Sequence, residues 1–164
     1  MKSKSIVIFV TLIVILAGGW LLLNRKDSAP PLAATTLQGE NLSLAGLKGK
    51  VVLINFWATS CTTCMAEMPK LVAIHQQFAA KGYETVAIAM DYDPADYVKN
   101  YVQKTSLPFK VVLDSKGDYA RAFGGIRLTP TSVLIDKQGN IVQTYLGEPD
   151  FPKFQALVER LLAA

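Results

Sequence analysis

The chain has 164 residues, enough for one domain with a short extension and too few for two full domains. Apolar residues make up 51% and the formal net charge is +4, but four of the basic residues, Lys2, Lys4, Arg25 and Lys26, flank a single N-terminal apolar run. From residue 27 onward 13 basic side chains balance 13 acidic ones, which excludes a basic nucleic-acid-binding face.

Residues 6–23 read IVIFVTLIVILAGGWLLL, 18 positions without a charge. A helix of that length spans roughly 27 Å, close to the hydrocarbon thickness of a bilayer. Residues 1–26 are therefore expected to form a transmembrane helix that anchors the chain, with its N-terminus inside. The alternative is a cleaved signal peptide with Ala17-Gly18-Gly19 at the cleavage site. Trp20 and Leu21 to Leu23 carry the apolar run past that point, which favours retention. Both readings send the rest of the chain out of the cytoplasm.

Residues 27–33, with Ala29-Pro30-Pro31, are expected as a linker, and residues 34–164 as the folded domain. Short strands are expected at 34–37 and 42–44 around the turn signal Gln38-Gly39-Glu40-Asn41. The run at 51–56, VVLINF, is almost wholly apolar and β-branched, the pattern of a central strand buried on both faces. A helix is expected over 62–80, where Leu71, Ile74, His75 and Phe78 recur at helical spacing. Pro69 lies inside it and predicts a kink.

Further strands are expected at 85–90, 110–113, 132–136 and 141–146, the last two joined by Lys137-Gln138-Gly139-Asn140. Asp93-Pro94 reads as the cap of a helix reaching about residue 105, and Tyr92, Tyr97 and Tyr101 as its packing. A short helix is expected at 119–123. Asp150 caps a last helix with Phe154, Leu157, Val158 and Leu161 on one stripe. Strands alternating with helices imply a parallel core, and the final hairpin adds an antiparallel part. The expected fold class is a three-layer α/β domain.

The chain holds two cysteines, Cys61 and Cys64, where the central strand gives way to a helix. The first turn of a helix has unpaired N–H groups and the positive end of the macrodipole, which stabilise a thiolate. Cys61 is expected as the exposed nucleophile, and Cys64, one turn on, as the buried thiol that resolves a mixed disulfide. A zinc site wants four ligands and no second pair exists. His75, eleven residues beyond Cys64 on the same expected helix, lies roughly 16 Å along the axis and is too far to share an ion.

The segment NFWATSCTTC at 55–64, with Pro69 five residues beyond and Thr129-Pro130-Thr131 downstream, resembles the active-site sequence of the thioredoxin superfamily. The closest branch resembles the TlpA/ResA-like membrane-anchored thiol-disulfide oxidoreductases, with their N-terminal span, extra β-hairpin and a glutamate three residues after the second cysteine, here Glu67. The resemblance implies a thioredoxin-like three-layer α/β/α sandwich with an N-terminal β-hairpin extension, and a redox-active Cys61–Cys64 disulfide. It also implies a cis Pro130 shaping the groove for a partner peptide, and a Thr129 backbone offered to that peptide. Trp57 joins this substrate-binding set, read mainly as packing beneath the site.

Two departures stand out. Asn55 occupies the place of the buried aspartate usual six residues before the first cysteine, and an amide cannot take a proton. Glu67 then becomes the candidate proton handler for Cys64, the alternative being a solvated helix carboxylate. Ser60 stands where the family usually has tryptophan. Thr62-Thr63 carry no charge between the cysteines, which predicts a reducing or intermediate poise.

The resemblance implies protein thiol or disulfide substrates, among them apocytochrome c thiols, and a membrane thiol electron carrier as redox partner. The expected setting is the bacterial inner membrane with the domain facing the periplasm or extracytoplasmic space. No cofactor and no resident metal are expected. The alternative function is a Cu(I) metallochaperone using the two thiolates. A thiol peroxidase is disfavoured, because Ala58 stands where a threonine would precede Cys61.

Overall fold

The computed structural model describes residues 27–164, so the expected membrane segment at 1–26 lies outside the described residues. Among the described residues no helix is long and apolar enough to cross a membrane.

Among the described residues seven strands and four helices follow in the order β1 (Ala33–Thr35), β2 (Asn41–Ser43), β3 (Val51–Trp57), α1 (Thr62–Phe78), β4 (Tyr83–Ala89), α2 (Ala95–Thr105), β5 (Lys110–Leu113), α3 (Asp118–Ala122), β6 (Thr131–Ile135), β7 (Ile141–Leu146) and α4 (Phe151–Ala163). Short 3-10 turns at Ala45–Leu47 and Ala79–Lys81 punctuate them. The main sheet has the order β5-β4-β3-β6-β7. β3, β4 and β5 run parallel, while β6 and β7 are antiparallel to their neighbours.

β3 is central, and all seven of its residues are buried. Alternation along the strand splits the core into two layers. Val51, Leu53 and Trp57 pack with Met68, Leu71 and Phe78 of α1, Val98 of α2, and Phe154 and Val158 of α4. Val52, Ile54 and Phe56 face the opposite way, toward Leu32, Leu42, Leu47 and Ala120. Each fully buried Leu, Ile or Phe contributes roughly 2 kcal/mol, so β3 is held by apolar burial on both sides. The second layer is built from the β1–β2 hairpin region and the five-residue α3, rather than from long helices.

The hairpin is tied down by one main-chain bond and one side-chain bond. Leu37 N–H donates to the Val111 carbonyl at 2.8 Å, and the Tyr119 hydroxyl to the Ala33 carbonyl at 2.8 Å. The segment expected as a linker is also attached: Ala29 N–H reaches the Gly139 carbonyl at 2.9 Å and Ile141 N–H the Asp27 carbonyl at 2.7 Å.

α1 is continuous from Thr62 to Phe78 with Pro69 inside. Gly82, at φ 96°, then reverses the chain into β4, a conformation that suits glycine because it has no Cβ. The start of α2 departs from expectation. Pro94 occupies the cap position without a side-chain bond, and the Asp93 carboxylate is turned elsewhere.

Candidate active site

β3 ends at Trp57, and the chain turns tightly, with Cys61 N–H donating to the Ala58 carbonyl at 3.2 Å. Cys61 is the N-cap residue of α1, and its Sγ accepts from the Cys64 N–H at 3.1 Å. The two cysteines are joined as a disulfide across a Cα–Cα distance of 5.2 Å. Cys64 is buried at 2% exposure, whereas Cys61 is only partly buried. The asymmetry follows from the helix: position 61 caps its open end, and position 64 is turned in toward β3.

A second segment meets the dithiol from β6. The Thr129-Pro130 peptide bond is cis, and the Thr129 carbonyl oxygen lies 3.5 Å from Cys61 Sγ. Thr131 Oγ1 donates to the Leu128 carbonyl at 2.7 Å, closing the turn that carries this segment. Thr129 is partly exposed beside the sulfur, and Pro130 is buried.

Below the helix lies a polar cluster inside the core. Asn55 projects from β3 on the α1 side, and its Nδ2 donates both to Glu67 Oε1 at 3.2 Å and to Ser132 Oγ at 2.9 Å. Glu67 is 1% exposed, so it is no solvated helix carboxylate. Its other oxygen, Oε2, has no hydrogen-bond partner among the described residues. Burial pushes the Glu67 carboxyl up from 4.5 to about 7; the nearby Glu148 adds to the rise and Lys70 opposes it. Lys70 and Glu148 form an ion pair at the surface, with the Lys70 ammonium 5.2 Å from the centre of the Phe151 ring.

Trp57, expected in the substrate-binding set, is fully buried at 0% exposure with its ring 5.4 Å from that of Tyr101. It packs under the site and does not reach the surface a partner would touch. His75 is likewise a core residue, with Nδ1 3.4 Å from Thr85 Oγ1 and its ring against Phe109. Burial lowers its pKa.

The loop after β4 brings two residues to the site, Asp93 and Tyr92, whose sequence positions predict capping and packing. The buried Asp93 carboxylate accepts from the Thr59 N–H and from the Thr59 hydroxyl, both at 2.6 Å. It therefore holds the turn that leads into Cys61. The Tyr92 hydroxyl lies 3.0 Å from Thr129 Oγ1. The only sequence signal at Asp93 was Asp-Pro, which reads as a helix cap. Nothing in the sequence points Tyr92 at position 129. Ser132 is a further residue that spacing could not connect to Asn55.

A partly buried cysteine capping a helix, bonded to a buried one and faced by a cis-proline segment, is an arrangement for thiol-disulfide exchange. The sequence profile of the Redoxin family matches residues 24–158. The chain belongs to the Redoxin family. The chain is 33% identical to the thiol-disulfide oxidoreductase ResA of Bacillus anthracis over 174 residues, covering 98% of this chain and 99% of that one. It is 35% identical to ResA of Halalkalibacterium halodurans over 126 residues, 77% of this chain and 70% of the relative. A solution structure of a putative thioredoxin from Neisseria meningitidis superposes with a TM-score of 0.78 at 40% identity, over 85% of this chain and 92% of that one. A thiol:disulfide interchange protein from Chlorobium tepidum gives 0.77 at 33% identity, over 84% and 97%. This Redoxin-family chain is thus a thioredoxin-superfamily protein of the TlpA/ResA type, an enzyme that exchanges thiols and disulfides through Cys61 and Cys64.

Proposed function

We propose that the enzyme works as a reductant of protein disulfides outside the cytoplasm, anchored by residues 1–26 in the bacterial inner membrane, with cytochrome c precursors as a substrate class. The observation that carries the exchange roles is the unequal exposure of the two sulfurs, Cys61 partly open beside Thr129 and Cys64 at 2%. In the reduced enzyme the Cys61 thiolate attacks one sulfur of the partner disulfide. A Cys61–partner S–S bond forms, and the partner's other sulfur leaves as a thiolate and takes up a proton. Cys64, deprotonated, then attacks Cys61 Sγ, re-forms the Cys61–Cys64 bond and releases the partner's second thiol. Two electrons and two protons pass to the partner, and a membrane thiol carrier restores the dithiol.

Glu67 is the acceptor for the Cys64 proton in this scheme. A carboxyl poised near pH 7, one turn along the helix from Cys64, has the proton affinity a base needs at neutral pH. Thr129 and Pro130 form the ledge on which the partner chain lies. The reducing direction is supported by the neutral, exposed Thr62-Thr63 dipeptide, which adds no positive charge to favour a thiolate over the disulfide. The extracytoplasmic setting is supported by the uncharged run at 6–23.

The test is trapping in intact cells with Cys64→Ser. Partners accumulate as mixed disulfides on Cys61 and disappear in Cys61→Ser. Identified partners with extracytoplasmic cysteine pairs, cytochrome c precursors among them, are the expected result. Capture of cytoplasmic proteins alone would overturn the assigned compartment. Equilibration of the pure protein with glutathione buffers tests direction: the disulfide should persist until the buffer is strongly reducing, and ready reduction by glutathione would point to an oxidant.

A further inference from the structure

The loop between β4 and α2 touches both halves of the site. Asp93 is buried and fastens Thr59, two residues before Cys61, through two bonds of 2.6 Å. Asp93 N–H also donates to the Met90 carbonyl at 3.1 Å, so the loop is fixed at its own base. The neighbouring Tyr92 extends its hydroxyl to Thr129 Oγ1 at 3.0 Å, yet remains 54% exposed. On the chain side of Thr129, Leu128 is 62% exposed. Thr129, whose carbonyl lies 3.5 Å from Cys61 Sγ, is thus accompanied by two large, largely uncovered apolar side chains. Ser60, immediately before the nucleophile, is exposed and small, so no aromatic surface comes from that position.

We propose that Tyr92 and Leu128 are specificity-determining residues, selecting extended protein segments that carry an apolar or aromatic side chain beside the reacting cysteine. The occupant is fixed by the chemistry of the neighbouring sulfur. A partner cysteine bonded to Cys61 must sit within a disulfide bond of it, and residues either side of that cysteine lie about 3.3 Å further along per position. Its immediate neighbours therefore fall on the surface around Thr129. A partner side chain there covers the exposed part of Tyr92 or Leu128 and gains by removing apolar area from water. The aromatic ring is held at its far end by Thr129, so little side-chain freedom is lost on binding. A folded surface with a recessed disulfide cannot bring its flanking residues to this ledge, and a charged neighbour gains nothing from it. The inference rests on exchange at Cys61 and not on the direction of electron flow.

The experiment uses the reduced full-length enzyme and two disulfide-linked peptides that differ only in having leucine or aspartate beside the cysteine, with hydroxyethyl disulfide as a small reference oxidant. The wild-type rate constant for the leucine peptide should exceed that for the aspartate peptide roughly tenfold. Tyr92→Ala and Leu128→Ser should each draw that ratio toward one, and Tyr92→Phe should keep most of it. A wild-type ratio near one overturns the proposal. So does a fall in both rates at an unchanged ratio in the two variants, which would mark a purely structural role. Failure of the wild-type enzyme with the peptides and hydroxyethyl disulfide alike would overturn the exchange chemistry itself.

Discussion

The side-chain amide of Asn55 donates to Glu67 Oε1 at 3.2 Å, joining the central strand to the dithiol helix inside the core. Both side chains are 1% exposed. An amide can donate to a carboxyl in either protonation state but cannot exchange a proton with it. The buried carboxyl therefore titrates alone at this position, and its raised proton affinity reflects burial first and the facing Glu148 second.

Glu67→Gln should make stability less dependent on pH. In the folded protein the Glu67 carboxyl ionises near 7, and in the unfolded chain near its ordinary 4.5. Between those values the folded state binds more protons, so stability falls as pH rises through the window. The cost of the ionised form above pH 7 is of order 3 kcal/mol, about 1.4 kcal/mol per unit of pKa. The glutamine variant should match the wild type near pH 4 and be more stable near pH 8. Urea unfolding at the two pH values measures this, and an equal difference at both would contradict it.

Asn55→Asp places a second carboxyl within hydrogen-bond distance of Glu67. Two such groups cannot both ionise readily, so the pair should titrate in two steps, one of them above the present value of about 7. Carbon-13 NMR of the side-chain carboxyls reads both steps. A single step at the wild-type position would show that Asn55 does not face Glu67.

The Lys70–Glu148 pair should tune the same carboxyl in opposite directions. Glu148→Gln removes a charge that raises the Glu67 pKa, and Lys70→Met one that lowers it. The Glu67 titration should move down in the first variant and up in the second. The pH dependence of Cys64 alkylation in the reduced enzyme provides an independent measure of the same shifts.

Asp93→Ala strips two acceptor contacts from Thr59 in a buried setting. The expected loss is about 1–3 kcal/mol in unfolding free energy, because the Thr59 N–H and hydroxyl lose a charged partner. Asp93→Asn keeps the shape and one acceptor, and should recover much of it. A helix-cap role predicts something else: loss of helicity in α2 with no change around Cys61. Amide hydrogen exchange at Thr59 against that at residues 95–98 separates the two.

Much of the fold was legible because its signals are local. The almost wholly apolar, β-branched run of β3 has the pattern of a strand buried on both faces, and Gly39, Gly82 and Gly139 mark reversals of the chain that hold in the structure. Asp150 caps α4 through the Lys153 N–H, as its position before an amphipathic stripe suggested. Asp93 misled for the same reason that Asp150 did not. Both precede a helix and a proline, and a carboxylate in that position can cap. At Asp93 the Thr59 donors, 34 residues away in sequence, hold the carboxylate instead.

The sequence by itself determined the spacing that the chemistry needs: two cysteines one helical turn apart, where an apolar strand gives way to a helix, are within bonding reach of each other. Only the tertiary structure decided the proton affinity of Glu67, the burial of Trp57 and the meeting of Tyr92 with Thr129. Spacing within one element is set by helix and strand geometry, which the order of residues encodes directly. Burial and contacts between elements depend on how the sheet stacks its strands, and residues far apart in the chain carry no local mark of the neighbours they will meet.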